Sequence, residues 1–265
     1  MADADALLEP GVTGLPTAPD PAPPTPPASA PPSDDTVMSL VDHLGELRTR
    51  LFRSIIAVSL ASALGFYFAT DIRIFLQAPL NGVPLQVLGV GDAFVIQVKI
   101  ALVVGIILAM PILLYQLWAF IAPGLTANER KVVRPWIPMA LLFFALGVVI
   151  AYVVLPYAIN FLFSFTDEKT LQARPAAGQY FDFVTTMFLA FGLVMEFPIL
   201  LVGLSTVGII TSARLRSSRR MVILGIAIFA AVVTPGGDLV SPFVLGGTMY
   251  LLYELTILFI RRSGK

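Results

Sequence analysis

The chain has 265 residues, of which 57% are apolar and only 13% charged, with no cysteine and a formal net charge of zero. Globular domains carry about 25% charged residues, so this composition and a mean hydropathy of +0.86 exclude a soluble domain. The missing thiols exclude disulfides, thiolate catalysis and cysteine-held metal centres.

The N-terminal stretch, residues 1–38, differs from the rest. It carries ten prolines from Pro10 to Pro32, six acids and no Lys or Arg. Low hydrophobicity, one sign of charge and dense proline leave nothing to offset the entropy of ordering, so a disordered tail is expected. Folding is expected from Ser39, where Ser39-Leu40-Val41-Asp42 reads as a capping box.

Six apolar segments follow in order: Leu51–Ala69, Phe94–Ala122, Trp136–Leu155, Phe183–Ile210, Met221–Thr234 and Phe243–Ile260. At roughly 20 residues per span they describe an all-α, six-helix transmembrane domain over residues 39–262, with a short C-terminus at 263–265. At about 1.5 Å per residue, the second and fourth segments reach about 42 to 44 Å, beyond the roughly 30 Å hydrocarbon layer. Pro111 and Pro198 lie inside them, so both are expected to bend there. The fifth and sixth are short and are expected to thin the bilayer or form a re-entrant hairpin.

Basic residues orient the bundle. Of seventeen, thirteen fall on one side: Arg48, Arg50 and Arg53; Arg130, Lys131 and Arg134; Arg214, Arg216, Arg219 and Arg220; Arg261, Arg262 and Lys265. Only Arg73, Lys99, Lys169 and Arg174 fall on the other. By the positive-inside rule both termini are expected in the cytoplasm.

Few polar residues interrupt the spans. Glu196 sits near the middle of the fourth segment, two positions before Pro198. Burying an acid at a helix centre costs about 2.5 to 3.5 kcal/mol, so Glu196 is expected to face protein or a watery concavity and to be functional. The structural alternative is a protonated carboxyl bonded to carbonyls freed by Pro198. Glu254 is expected to snorkel or to pair near Arg261, and Lys99 to snorkel toward the outer headgroups. Glu46 and Glu129 both read as carboxylates in the first turns of helices, Glu129 within the capping box Thr126-x-x-Glu129. His43 reads as an interfacial helix residue, and Tyr115, Trp118, Phe120 and Trp136 as an aromatic belt.

No phosphate loop, zinc-protease motif or nucleophile elbow is present, so neither an ATP-driven nor a familiar hydrolytic mechanism is visible. No cofactor, metal or nucleic acid is implied. An intramembrane aspartyl protease needs two facing carboxylates, and Asp238 has no evident partner in the sequence. A secondary transporter of small solutes stands as the alternative to a binding or translocation subunit, although no internal repeat supports it.

Several motifs together resemble the TatC family, the multi-span receptor subunit of the twin-arginine protein translocase. His43-Leu44-Gly45-Glu46-Leu47-Arg48-Thr49-Arg50-Leu51 is similar to its N-terminal signature, and Ala78-Pro79-Leu80 to its first outer loop. The run from Pro111 through Trp118 to Leu125, followed by Glu129-Arg130, is the strongest likeness. Phe191 to Pro198 around Glu196, and Thr234-Pro235 with Asp238, match the fourth span and the last outer loop.

The resemblance implies a non-enzymatic protein of the prokaryotic inner membrane. Its concave, glove-like bundle would bind the paired arginines of signal peptides on folded precursors, and would work with single-span TatA/TatB-type subunits in an oligomeric complex driven by the proton-motive force. It also implies a cytoplasmic signal-peptide site at Glu46, Arg48, Phe120, Glu129 and Arg130, a partner-helix contact at Glu196, and functional outer-loop positions at Pro79 and Asp238. Where the family often has Ser-Gln after the last aspartate, this chain reads Ser241-Pro242, so a role for that glutamine does not carry over.

Overall fold

A computed structural model describes residues 40–166, 174–234 and 237–262. They belong to one compact unit, Met38–Lys265. The acidic tail and residues 263–265 lie outside the described residues, as does Pro235.

Nine α-helices are found among the described residues: α1 (Leu40–Gln77), α2 (Asp92–Ile121), α3 (Ala127–Val133), α4 (Trp136–Phe163), α5 (Ala177–Val194), α6 (Phe197–Thr206), α7 (Ser212–Ser217), α8 (Arg219–Val233) and α9 (Val240–Arg262). The third span is α4 preceded by α3, and the fourth is α5 with α6. Five of these stretches are long and apolar enough to cross a bilayer. The remaining span is α8, whose 15 residues reach only about 22 Å at the helical rise. This is consistent with the expected six spans, the shortest at the fifth position. α9 extends the sixth apolar segment in both directions, to Val240 and Arg262.

The two long segments answer their prolines differently. α2 runs on through Pro111, forgoing the one bond that its absent N–H would have made to the preceding turn. The fourth segment breaks instead. α5 ends at Val194, Glu196 N–H turns back to the carbonyl of Leu193 at 3.1 Å, and α6 starts with Pro198 in its first turn. That position suits proline because an N–H there would have no helical acceptor. α4 continues past Leu155 to Phe163 and carries Pro156 internally.

α5 is the buried axis of the bundle. Phe181, Val184, Met187 and Phe191 are almost wholly buried in the main core, with Ile100 of α2, Leu155 of α4 and Leu245 of α9. Small residues let neighbouring backbones approach, as is common between membrane helices. A Cβ on Gly105 of α2 would lie 2.6 Å from the backbone nitrogen of Ser62 in α1. A Cβ on Gly147 of α4 would lie 2.9 Å from the Cα of Gly192 in α5.

The basic flanks gather at one end. His43 near the start of α1 stacks on Phe120 at the end of α2, and Trp136 at the start of α4 meets Phe259 of α9 edge-on at 4.7 Å. The Tyr253 hydroxyl of α9 donates to the carbonyl of Leu215 in α7 at 2.6 Å. At the opposite end, the α1–α2 and α4–α5 connections are joined by Gln86, whose carbonyl accepts from Ala177 N–H at 2.7 Å. The Tyr180 hydroxyl adds a 2.5 Å bond to the carbonyl of Leu76.

Candidate functional site at the arginine-rich end

Glu46 lies four residues before Arg50 on α1, the spacing and order that best favour an ion pair on a helix. Arg50 Nε donates to Glu46 Oε1 at 2.8 Å, and Nη2 reaches the same oxygen. The guanidinium is steadied from α2 by Gln116, whose Oε1 lies 3.4 Å from Nη1. The second carboxylate oxygen, Oε2, is buried without a hydrogen-bond partner. Its neighbour is His43 Nδ1, at 3.9 Å.

The same imidazole stacks on Phe120, with centroids 4.3 Å apart and planes 14° from parallel. His43 thus links Phe120 to Glu46, and three side chains from the ends of two helices form one contiguous group. Arg48 does not join them. Two residues along a helix point to nearly opposite sides, and the Arg48 guanidinium lies over the Phe52 ring, 5.8 Å from its centroid.

Glu129 and Arg130 form a second group, in the segment that follows Phe120. The capping box is complete: Glu129 Oε2 accepts from Thr126 N–H at 2.9 Å, and Thr126 Oγ1 accepts from Glu129 N–H at 3.4 Å. Arg130 Nη2 donates to the carbonyl of Ala122 at 2.8 Å, which folds the preceding turn back on α3. The capping box fixes the position of the Glu129 carboxylate at the start of α3.

Glu196 occupies the break between α5 and α6, with only 7% of its surface exposed. Its Oε1 is buried with no hydrogen-bond partner. The backbone there bonds internally, since the Glu196 carbonyl accepts from the N–H groups of Ile199 at 3.1 Å and Leu200 at 3.2 Å. Oε1 thus stands without a donor at the break between the two helices.

The remaining expected positions lie elsewhere. Pro79 opens a tight turn over Ala78–Leu80 that ends at Asn81, which has a left-handed φ of 51°. Asp238 is almost wholly buried, and its Oδ1 accepts from Ser241 N–H at 2.6 Å, which holds the start of α9. Its Oδ2 has no hydrogen-bond partner. Lys99 of α2 pairs with Asp182 of α5 near the same end of the bundle. Glu254 pairs with Arg219 Nη2 at 2.6 Å rather than with a residue of its own helix end.

Sequence reasoning missed His43 as a linker and Arg50 and Gln116 as partners. Glu46 and Arg50 at helical spacing were visible; Gln116 was not, because it enters from another helix.

The profile of the family described as "Sec-independent protein translocase protein (TatC)" matches residues 42–247. The chain is 41% identical over 237 residues to the Sec-independent protein translocase protein TatC of Azotobacter chroococcum, covering 87% of this chain and 92% of that one. It is 32% identical over 231 residues to TatCy of Bacillus subtilis, covering 86% and 91% respectively. A crystal structure of the twin-arginine translocase receptor TatC superposes with a TM-score of 0.74 at 35% identity, covering 82% of this chain and 99% of the other. With its span order and helix-rich bundle, the chain belongs to the TatC family of membrane-embedded, Sec-independent protein translocase components.

Proposed function

We propose that this chain is the receptor subunit of a twin-arginine translocase in the inner membrane. Its arginine-rich end and both termini face the cytoplasm, where it binds the arginine pair of signal peptides on folded precursors. The observation that carries this reading is the state of Glu46, a carboxylate that already holds one guanidinium on Oε1 while Oε2 is buried, without a hydrogen-bond partner and 3.9 Å from His43 Nδ1.

Each guanidinium of an arginine pair can make two parallel charge-assisted bonds to a carboxylate, a fork that lysine cannot copy. Glu46 takes one arginine and the capped Glu129 the other. The Phe120 ring, already stacked with His43, offers a face for a cation. Arg130 supports this group by tying the Ala122 turn to α3. Arg48, turned toward Phe52, contributes positive potential and topology instead.

Glu196 serves a second contact. A single-span TatA/TatB-type helix that brings a polar group to the α5–α6 break would satisfy the unpartnered carboxyl oxygen. Such partners, assembled with several copies of this chain, form the translocation site energised by the proton-motive force. The Pro79 turn and the Asp238 cap shape the loops facing away from the cytoplasm.

Pull-down of an Arg-Arg precursor against its Lys-Lys variant tests the reading. The receptor retains the first and loses most of the second, and replacing Glu46 and Glu129 together by alanine abolishes the difference. Equal retention of both precursors, or normal export by the double variant, overturns it. Uptake of a small solute by the chain alone would support the transporter alternative.

A further inference from the structure

Glu46 is not an empty receptor. Arg50 of the same helix sends both Nε and Nη2 to a single carboxylate oxygen, Oε1, and Gln116 holds the far side of the same guanidinium. Both partners of the ion pair are more than four-fifths buried, with side chains 18% and 17% exposed. The other oxygen, Oε2, is buried and has no hydrogen-bond partner. The carboxylate is thus half occupied, by the same functional group that the ligand would bring.

We propose that Arg50 is a resident competitor for the arginine-pair site: an incoming guanidinium lands on Oε2 and closes its two-bond fork only by displacing Arg50 from Oε1. The inference rests on the reading of Glu46 given above, and names the residue that sets the affinity of that site.

Three features suit the exchange. A guanidinium replaces a guanidinium, so the carboxylate never loses its charge partner and no uncompensated buried charge forms. Gln116 offers the departing Arg50 a neutral acceptor already within 3.4 Å. Oε2 is costly as it stands, since with His43 Nδ1 no nearer than 3.9 Å it is a buried acceptor without a hydrogen bond, and the ligand's first contact relieves that cost. Lysine behaves differently. A compact ammonium can sit on Oε2 without evicting Arg50, and gains no fork by doing so. Arg50 therefore lowers the affinity for arginine more than for lysine, and keeps the precursor releasable.

The test uses the full chain in nanodiscs of neutral lipid, with labelled signal peptides carrying Arg-Arg or Lys-Lys and with binding and release followed by fluorescence anisotropy. Arg50→Gln strengthens Arg-Arg binding by about threefold to tenfold, the scale of a partly exposed charge-assisted pair, mainly through slower release. Lys-Lys binding rises less. Arg53→Gln removes the same charge one turn on, from an exposed position, and changes Arg-Arg binding by less than twofold. Gln116→Leu removes a bond that steadies Arg50 on Glu46, so it changes Arg-Arg binding only when Arg50 is present and has no effect in the Arg50→Gln background. Should Arg50→Gln not fold, Arg50→Lys gives the same direction with a smaller gain.

Unchanged or weaker Arg-Arg binding by Arg50→Gln, with Glu46→Gln still abolishing the Arg-Arg preference, overturns the competitor role and leaves the receptor reading intact. An equal gain from Arg53→Gln also overturns it, by reducing the effect to net charge. A Glu46→Gln variant that binds like the parent overturns the reading of the site itself.

Discussion

Lys99 of α2 and Asp182 of α5 form an ion pair between two membrane-spanning helices, 83 residues apart in the chain. Each charge tolerates its depth because the other is there; an unpaired charge in a span costs a few kcal/mol, less near the interface than at the centre. Lys99→Met alone is expected to destabilise the bundle by up to about 1 kcal/mol, because the pair is well exposed, at 39% and 53% of its side chains, and the stranded carboxylate lies near the helix end. Asp182→Asn has the same sign. Lys99→Met with Asp182→Leu recovers most of the loss, since neither charge is then left without its partner. Thermal unfolding of the three variants in detergent checks the cycle; additive losses in the double variant would show that the two charges act independently.

The crossing of α1 and α2 makes a second, purely steric prediction. Gly105 faces Ser62 so closely that an added Cβ would meet its backbone at 2.6 to 2.7 Å. Backbone cannot yield as a flexible side chain can, so Gly105→Ala is expected to cost about 1 to 3 kcal/mol and Gly105→Leu to prevent the crossing. A Cβ added to Gly225 in α8 would meet nothing within 4 Å, and Gly225→Ala is expected to be neutral or to gain up to about 1 kcal/mol. Unfolding midpoints of the two alanine variants differ in sign if packing governs, and agree if helix propensity does.

What the residues reveal in one dimension is mostly what depends on near neighbours. The Thr126–Glu129 capping box, the break ahead of Pro198 and the burial of Glu196 follow from local rules, and each is present in the structure. Arg48, which the family resemblance grouped with Glu46, turns instead to Phe52, as a spacing of two residues on a helix requires. Pairings across helices were not. Lys99 with Asp182, Arg50 with Gln116 and His43 with Phe120 depend on which helix faces which, and no periodicity encodes that. Pro156 was overlooked for another reason: the apolar run ends at Leu155, but the helix continues because α4 still buries Ala158 and Ile159.

Asp238 separates capping from charge. Its Oδ1 accepts from Ser241 N–H at 2.6 Å and so satisfies one of the orphan donors at the start of α9. Asn retains an oxygen in that position, whereas Ala removes it. Asp238→Ala is expected to cost about 1 kcal/mol and to open the α8–α9 connection to proteolysis, with Asp238→Asn close to the parent. Limited proteolysis in nanodiscs compares them directly. If Asp238→Asn exports precursors normally while Asp238→Ala does not, the aspartate acts through the helix start; if both fail, its charge is needed.

Glu196 sets stability of the isolated chain against assembly. Its Oε1 lies buried without a donor at the α5–α6 break, a penalty of about 1 to 3 kcal/mol for a polar group left unsatisfied. An apolar residue of similar size removes the penalty, so Glu196→Leu is expected to raise the unfolding midpoint of the purified chain. The same change deletes the acceptor that a partner's transmembrane helix would use, so co-purification of single-span subunits falls. Glu196→Gln keeps a hydrogen-bonding group in place and retains most of the partner while gaining less stability. The two measurements must therefore move in opposite directions across Glu, Gln and Leu. A Leu variant that is more stable and still holds its partners fully would mean that the buried carboxyl contributes nothing to assembly; a Leu variant that is less stable would mean that its neighbours already satisfy it.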